Sequence, residues 1–222
     1  MWAVVPLKNI RQAKQRLAPL LSPDERSELM LAMVCDVLSV LGRTPGLAGI
    51  LLVSRAPEAP ELARRFGIDV YAEAAGADLS ESVQAAGGFL VANRSATGTL
   101  IVPADVPLIT TADIEAVRAD HERLTLVPDS EGDGTNCIAS TPPNLIRYRF
   151  DGHSFKPHVE AAYSIGITPR IVRNENFGID VDTPRDLLRV LERAGPSRTR
   201  TWLEASGIAT RLAHPHNSSS AV

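Results

Sequence analysis

Short, nearly unbroken apolar runs recur along the chain: WAVVP from Trp2, AGILLVS, IDVYAE, GTLIVPAD, LTLVPD, NCIAST and PRIVRN. Runs of this length, bounded by turn residues, predict buried strands. The stretches between them follow a different period. In LSPDERSELMLAMVCDVLSVLG, Leu29, Met33, Val37 and Leu41 fall on one helical face. Ser22 is expected to cap this helix, with Pro23 in the first turn and Glu25 completing a capping box, and Gly42 is expected to close it. Further helices are predicted for PEAPELARRFG, for DLSESVQAAGGFLVAN with its glycine pair, and for TTADIEAVRADHE behind a Thr110–Asp113 capping box. Ser154 is expected to cap FKPHVEAAYSIG, and Thr183 with Pro184 to open PRDLLRVLERAG.

Strands and helices alternate, which predicts an α/β fold with a mainly parallel sheet covered on both faces. Such sheets bind ligands beyond the carboxyl ends of their strands. The segments of interest are therefore Pro6–Arg16, Pro103–Pro107, Asp129–Asn136 and the loop ending at Asp182. Residues 1–194 are expected to form one domain. From Gly195 the composition shifts, and 195–222 reads as an appended helix with a frayed, Ser-rich tail. His214 and His216 in that tail form an HPH triplet that could bind metal; a loose terminus accounts for it more simply.

Composition narrows the function. The 222 residues carry a net charge of −3 and only 5% aromatics, which argues against a nucleic-acid binder that stacks bases. Two isolated cysteines, Cys35 and Cys137, give neither metal spacing nor a disulfide framework, and Cys35 lies in a core-like apolar context. No apolar segment approaches the roughly 20 residues of a membrane span. A cytoplasmic location, with neither nucleic-acid nor membrane partners, is the expectation.

Four loops carry candidate chemistry. VPLKNIRQAKQRLAP holds Lys8, Arg11, Lys14 and Arg16 and no acid. Like charges so placed suit phosphate binding by side chains, and no glycine-rich GxxxxGK[ST] loop is present to bind it by backbone amides. Arg11 has no separate role to assign. Asp105, after a very apolar strand, suits Mg²⁺ or a turn; position alone supports both. In VPDSEGDGTNC, Gly132 and Gly134 allow either an unusual backbone path or a plain hairpin, and Thr135 and Asn136 offer polar groups behind them. Asp180 and Asp182, two apart in an extended segment, point the same way. With Asp105 they could form a carboxylate set for one or two Mg²⁺ ions, unless Asp182 serves only to open the next helix. Together the loops suit metal-assisted transfer at phosphorus, which needs no protein nucleophile.

The segments VPLKNIRQAKQRLAPLLSPDER, VPADVPLIT, DGTNCI, HSFKPHVEAA and DVDTPRDL, in this order, resemble the CofC/FbiD-type guanylyltransferases of coenzyme F-420 biosynthesis over about residues 1 to 193. The resemblance implies a three-layer Rossmann-like sandwich with a mixed, mostly parallel sheet, similar to nucleotide-diphosphosugar transferases. It implies transfer of GMP from GTP to phosphoenolpyruvate, 2-phospho-L-lactate or 3-phospho-D-glycerate, with a downstream transferase taking the product. The chain would be a monomer or homodimer. By the same resemblance Asp105, Asp180 and Asp182 would hold Mg²⁺. Pro6, Leu7, Lys8, Lys14, Arg16 and Ser80 would contact the nucleotide, with Lys14, Arg16 and Asp105 at the reacting phosphorus. Thr135, Asn136, Asp151 and Ser154 would bind the acid. Two positions depart from relatives: Asp151 stands where glycine is common, and Ser80 where asparagine is common. His153 and Lys156 are expected to offset the charge of Asp151.

Rival readings keep the fold with a molybdopterin or sugar-phosphate acceptor, or make the chain a non-catalytic nucleotide-binding protein. The first pair typically opens with a glycine-rich loop, which this chain lacks. The second would tolerate loss of the aspartates.

Overall fold

A computed structural model describes residues 1–213; the HPH triplet and the rest of the expected tail lie outside the described residues. Among the described residues seven strands form one sheet: β1 (Trp2–Pro6), β2 (Gly49–Val53), β3 (Asp69–Tyr71), β4 (Thr99–Ile101), β5 (Leu124–Pro128), β6 (Thr135–Ser140) and β7 (Arg170–Ile171). Their order is β3-β2-β1-β4-β6-β5-β7, with β6 antiparallel to both neighbours and every other pairing parallel. The sheet is thus mixed and mostly parallel. One consequence fixes the site: β6 begins at the edge where β1, β4 and β5 end.

The sheet splits its residues by the two-residue strand period. Ala3 and Val5 face one core with Leu100, Cys137 and Ala139, while Val4 faces the other with Ile101 and Ile138. The first face is covered by α1 (Pro23–Arg43), α2 (Ala59–Phe66), α4 (Thr111–Arg118) and α6 (Pro184–Arg193), and the second by α3 (Leu79–Arg94) and α5 (Phe155–Ser164). Cys35 lies in the first core, and burial pushes the Cys137 thiol well above its usual range. Residues 195–213 form α7 (Arg198–Ala205) and α8 (Ile208–Ala213), whose Leu203 and Ile208 are fully buried in the first core. No helix of the described residues is long and apolar enough to cross a membrane.

Local chemistry accounts for the element ends, with two corrections. The Ser22–Glu25 and Thr110–Asp113 capping boxes form as expected. Gly42 does not close α1. The helix runs to Arg43 and stops at Thr44, whose N–H reaches Leu41 O and whose hydroxyl donates to Val40 O. The following Pro45 disfavours helical geometry at Thr44. Ser154 does not cap α5: its backbone is helical and its hydroxyl makes no capping bond. The first N–H of α5, from Phe155, donates instead to Asp133 O across the loop. Of the glycine pair in α3, Gly87 has a packing reason and Gly88 faces open space. A Cβ on Gly87 would strike the Asn144 side chain, which donates to Gln84 O at 2.8 Å.

Candidate active site

The basic stretch after β1 folds as two 3₁₀ turns, Ile10–Gln12 and Gln15–Leu17, with Lys14 between them in the left-handed region at φ 56°, ψ 43°. This bend carries the Lys14 side chain inward until only 5% of it is exposed. Its Nζ donates to Asp105 Oδ2 at 2.5 Å and to Asp182 Oδ1 at 2.7 Å. Asp105 follows β4, and Val181 N–H donates to Asp105 O at 3.0 Å, clamping the 180–182 segment against it. Val181 is fully buried while Asp180 and Asp182 both line the open cleft, so the two carboxylates share a side as the spacing predicts. The cap of α6 leaves them free. Thr183 N–H and hydroxyl both donate to Asp186, at 2.8 and 2.7 Å.

Charge is out of balance here: one ammonium bridges Asp105 and Asp182, and a third carboxylate, Asp180, lines the same cleft. Burial opposes the charge on Lys14, but Asp105 and Asp182 outweigh it and hold its pKa above that of an ordinary lysine. The Asp180 carboxyl is raised, first by burial and then by Asp105; a hydrogen bond from Asn136 Nδ2 at 3.1 Å pulls the other way. The oxygen-only donor set and the surplus negative charge fit a hard divalent cation. Among the described residues, however, no group of three His, Cys, Asp or Glu side chains is preassembled to hold a metal. Lys14 already joins Asp105 and Asp182.

Across the cleft, Thr135 and Asn136 open β6. Thr135 Oγ1 lies 3.0 Å from His158 Nδ1 on α5, and His158 Nε2 accepts the Arg149 N–H at 2.9 Å. Burial lowers the His158 pKa to about 4 despite the opposing pull of Asp151. Ser154 is almost fully buried yet lines the cleft. Asn136 spends its amide on Phe177 O and Asp180, so it supports the carboxylate rather than offering a free donor. Asp151 does not enter the cleft. Its carboxylate pairs with Arg149 Nε at 2.5 Å, and that hydrogen bond holds its pKa down. Arg149 is thus its charged partner, in place of the expected His153 and Lys156 side chains; His153 contributes only its backbone N–H, to Asp151 Oδ1 at 3.3 Å. His153 stands 3.8 Å from Asp133, and Lys156 3.7 Å from Glu160.

The nucleotide-side candidates separate. Pro6, Leu7, Lys8 and Lys14 line an apolar recess of about 210 Å³. It shares Leu79, Pro103, Asp105 and Phe150 with the main cleft of about 670 Å³. Lys8 turns away from the aspartates to Glu73 and Ala77 O, both at 2.9 Å, and to Ser82 Oγ at 3.3 Å. Ser80 accepts the Phe150 N–H at 2.9 Å and so anchors the 150–154 loop. Arg16 is exposed on the wall of the main cleft. A larger groove of about 1130 Å³ lies between α1 and the C-terminal helices and contains none of the candidate residues. The convergent charged groups, not size, select the cleft as the site.

Several cleft residues escaped the sequence reading. Arg185 and Arg189 project from α6, one helical turn apart, into the cleft. Their i, i+4 spacing behind DVDTP was the available signal. Asp129 closes the glycine loop. Its Oδ1 accepts from the N–H groups of Glu131, Gly132 and Asp133 at 3.1, 2.6 and 3.0 Å, and its Oδ2 accepts from Gly134 at 2.7 Å. An aspartate before a glycine-rich loop signals such a turn. His158 carries no local signal of its contact with Thr135, which depends on how α5 packs.

A mixed sheet with charged loops gathered at one edge, around paired carboxylates and a buried lysine, defines an α/β nucleotidyltransferase. The fold is matched by a protein from Desulfovibrio desulfuricans G20 described as a nucleotide-diphospho-sugar transferase. The TM-score is 0.74 at 20% identity, over 95% of this chain and 97% of that one. The chain belongs to the family described as "Guanylyl transferase CofC like", whose model matches residues 1–222. It is similar to the phosphoenolpyruvate guanylyltransferase of Sphaerobacter thermophilus, 39% identical over 83% of this chain and 89% of the relative. It is also similar to the 2-phospho-L-lactate guanylyltransferase of Methanocaldococcus infernus, 30% identical over 96% and 95%.

Proposed function

We propose that this chain transfers GMP from GTP to the phosphate of a small phosphorylated three-carbon acid, within coenzyme F-420 biosynthesis. An acid phosphate oxygen attacks the α-phosphorus of GTP, the bond from that phosphorus to the β-phosphate oxygen breaks, and pyrophosphate leaves. The carrying observation is the Lys14 bridge between Asp105 and Asp182, facing Thr135 and Ser154 across one cleft. Lys14 holds its proton through the step and offers positive charge to the reacting phosphate. Arg16, Arg185 and Arg189 supply further cationic wall against the triphosphate. Pro6, Leu7 and Lys8 frame the recess on the nucleotide side. Thr135 and Ser154 orient the acid by hydroxyl donation. Asp105, Asp180 and Asp182 would hold Mg²⁺, which when bound neutralises phosphate charge.

The test is a substrate panel. Purified protein with Mg²⁺ and GTP is given each of phosphoenolpyruvate, 2-phospho-L-lactate and 3-phospho-D-glycerate, with ATP, CTP and UTP as nucleotide controls. Pyrophosphate release and the mass of the guanosine-linked product are read. Phosphoenolpyruvate comes first, since the 39% identical relative carries it in its name. No pyrophosphate with GTP and any of the three acids overturns the proposal.

A further inference from the structure

The hydrogen-bond inventory around His158 fixes more than packing. The imidazole is fully buried, and each ring nitrogen has one partner. The Arg149 backbone N–H can only donate, so Nε2 must accept and cannot carry a proton. The proton of the neutral ring therefore sits on Nδ1, which donates to Thr135 Oγ1. The other neutral tautomer, or an imidazolium, would set two N–H donors against each other at 2.9 Å. Among the described residues the Thr135 hydroxyl makes no other hydrogen bond, and Thr135 lines the cleft.

We infer that His158 is a positioning residue: by donating Nδ1–H to Thr135 Oγ1, it turns the Thr135 hydroxyl proton into the cleft to donate to an anionic group of the acid substrate. A threonine hydroxyl left alone can rotate to accept or to donate. With one acceptor position filled from α5, its proton is turned away from His158 and is free to point into the cleft that Thr135 lines. The Arg149 N–H, part of the loop that Ser80 anchors through Phe150, sets the tautomer from behind. The inference rests on the acid-binding reading of Thr135. It is distinct from that reading, because the tautomer can be measured without substrate.

Two arms test it. In the first, the full chain labelled with ¹⁵N-histidine is observed by long-range ¹H–¹⁵N correlation at pH 7. Protonated Nδ1 and bare Nε2 at His158 are expected; an Nε2–H tautomer or an imidazolium overturns the inference. In the second, His158→Gln places a side-chain oxygen near the old Nε2 position, where it still accepts from Arg149, and removes the donor to Thr135. KM for the acid should rise about fivefold to tenfold, the scale of a misoriented hydrogen bond to a charged group, with KM for GTP unchanged within about twofold. Thr135→Val should raise the acid KM at least as much, and adding His158→Gln to it should change nothing further. Additive effects in the double variant, or equal rises for acid and GTP, overturn the inference. If wild type turns over none of the acids, the proposed function fails while the tautomer measurement still decides this point.

Discussion

Replacing Lys14 by methionine keeps the apolar stem and deletes the ammonium, which isolates its electrostatic role. The two oxygens it bonds share one Nζ, so they stand no farther apart than the sum of 2.5 and 2.7 Å. At roughly 5 Å and an effective dielectric near 20, their uncompensated repulsion is about 3 kcal/mol. Asp182 is 40% exposed and Asp105 25%. Water screens the pair and lets Asp182 swing outward, so the expected loss of unfolding free energy at pH 7 is about 1–2 kcal/mol. The pH dependence has a definite sign. The pKa of Lys14 in the folded chain is raised: burial opposes its charge, and Asp105 and Asp182 outweigh that effect. Its contribution is therefore complete below the unfolded-state value of about 10.4 and is lost only as pH rises through the folded value. The deficit should be level from about pH 6 to 9, where Lys14 stays charged. Urea unfolding of both proteins across this range is the assay. Equal stabilities at pH 7, or a deficit that changes between pH 6 and 9, would refute the reasoning.

Other outcomes follow from the same geometry. Asp180→Asn should make the fold more resistant to urea at pH 7 while cutting transfer at least a hundredfold. Its carboxyl is raised by burial and by Asp105, so its ionised form costs stability as pH rises through that raised value, and the gain should vanish in acid. Gly134→Ala should raise the acid KM and lower the melting temperature, because a Cβ there meets Asp129 Oδ2 at 2.7 Å and that carboxylate is held by four N–H groups; an unchanged melt and KM would count against the loop reading. Ile208→Ala should cost about 2–4 kcal/mol by denaturant unfolding if α8 is integral to the first core, and almost nothing if it is a loose appendage.

The element pattern and the identity of the charged loops were legible because they rest on local periodicity. Apolar runs became strands, and capping boxes at Ser22 and Thr110 became helix starts. The mixed character of the sheet was not in that signal. A run such as NCIAST reads the same in either direction, and the antiparallel course of β6 follows from its hairpin with β5. The aspartate pair at 180 and 182 was legible from spacing alone, since an extended chain puts alternate residues on one side. Partner choice was not. Lys8 and Lys14 look alike in the basic stretch. One reaches Glu73 and the other reaches Asp105, because Lys14 itself takes the left-handed conformation that turns its side chain inward. Asp151 likewise looked like a cleft residue until Arg149, two positions away, drew it aside.

The left-handed Lys14 ties strain to chemistry. Non-glycine residues in this region cost about 1 kcal/mol, and glycine would sit there freely. A phosphate loop built on backbone amides would favour glycine at such a bend. Here the bend must carry a side chain, since the ammonium is what reaches carboxylates delivered from the end of β4 and from the segment before α6. The two ion pairs hold the strained backbone, and the strained backbone aims the ammonium. Lys14→Gly would relax the first and abolish the second, whereas Lys14→Met keeps the strain and removes its offset. Both variants lose the ion pairs, but the glycine variant also loses the packing of the buried stem, which outweighs about 1 kcal/mol of relieved strain, so it should be the less stable of the two by urea unfolding.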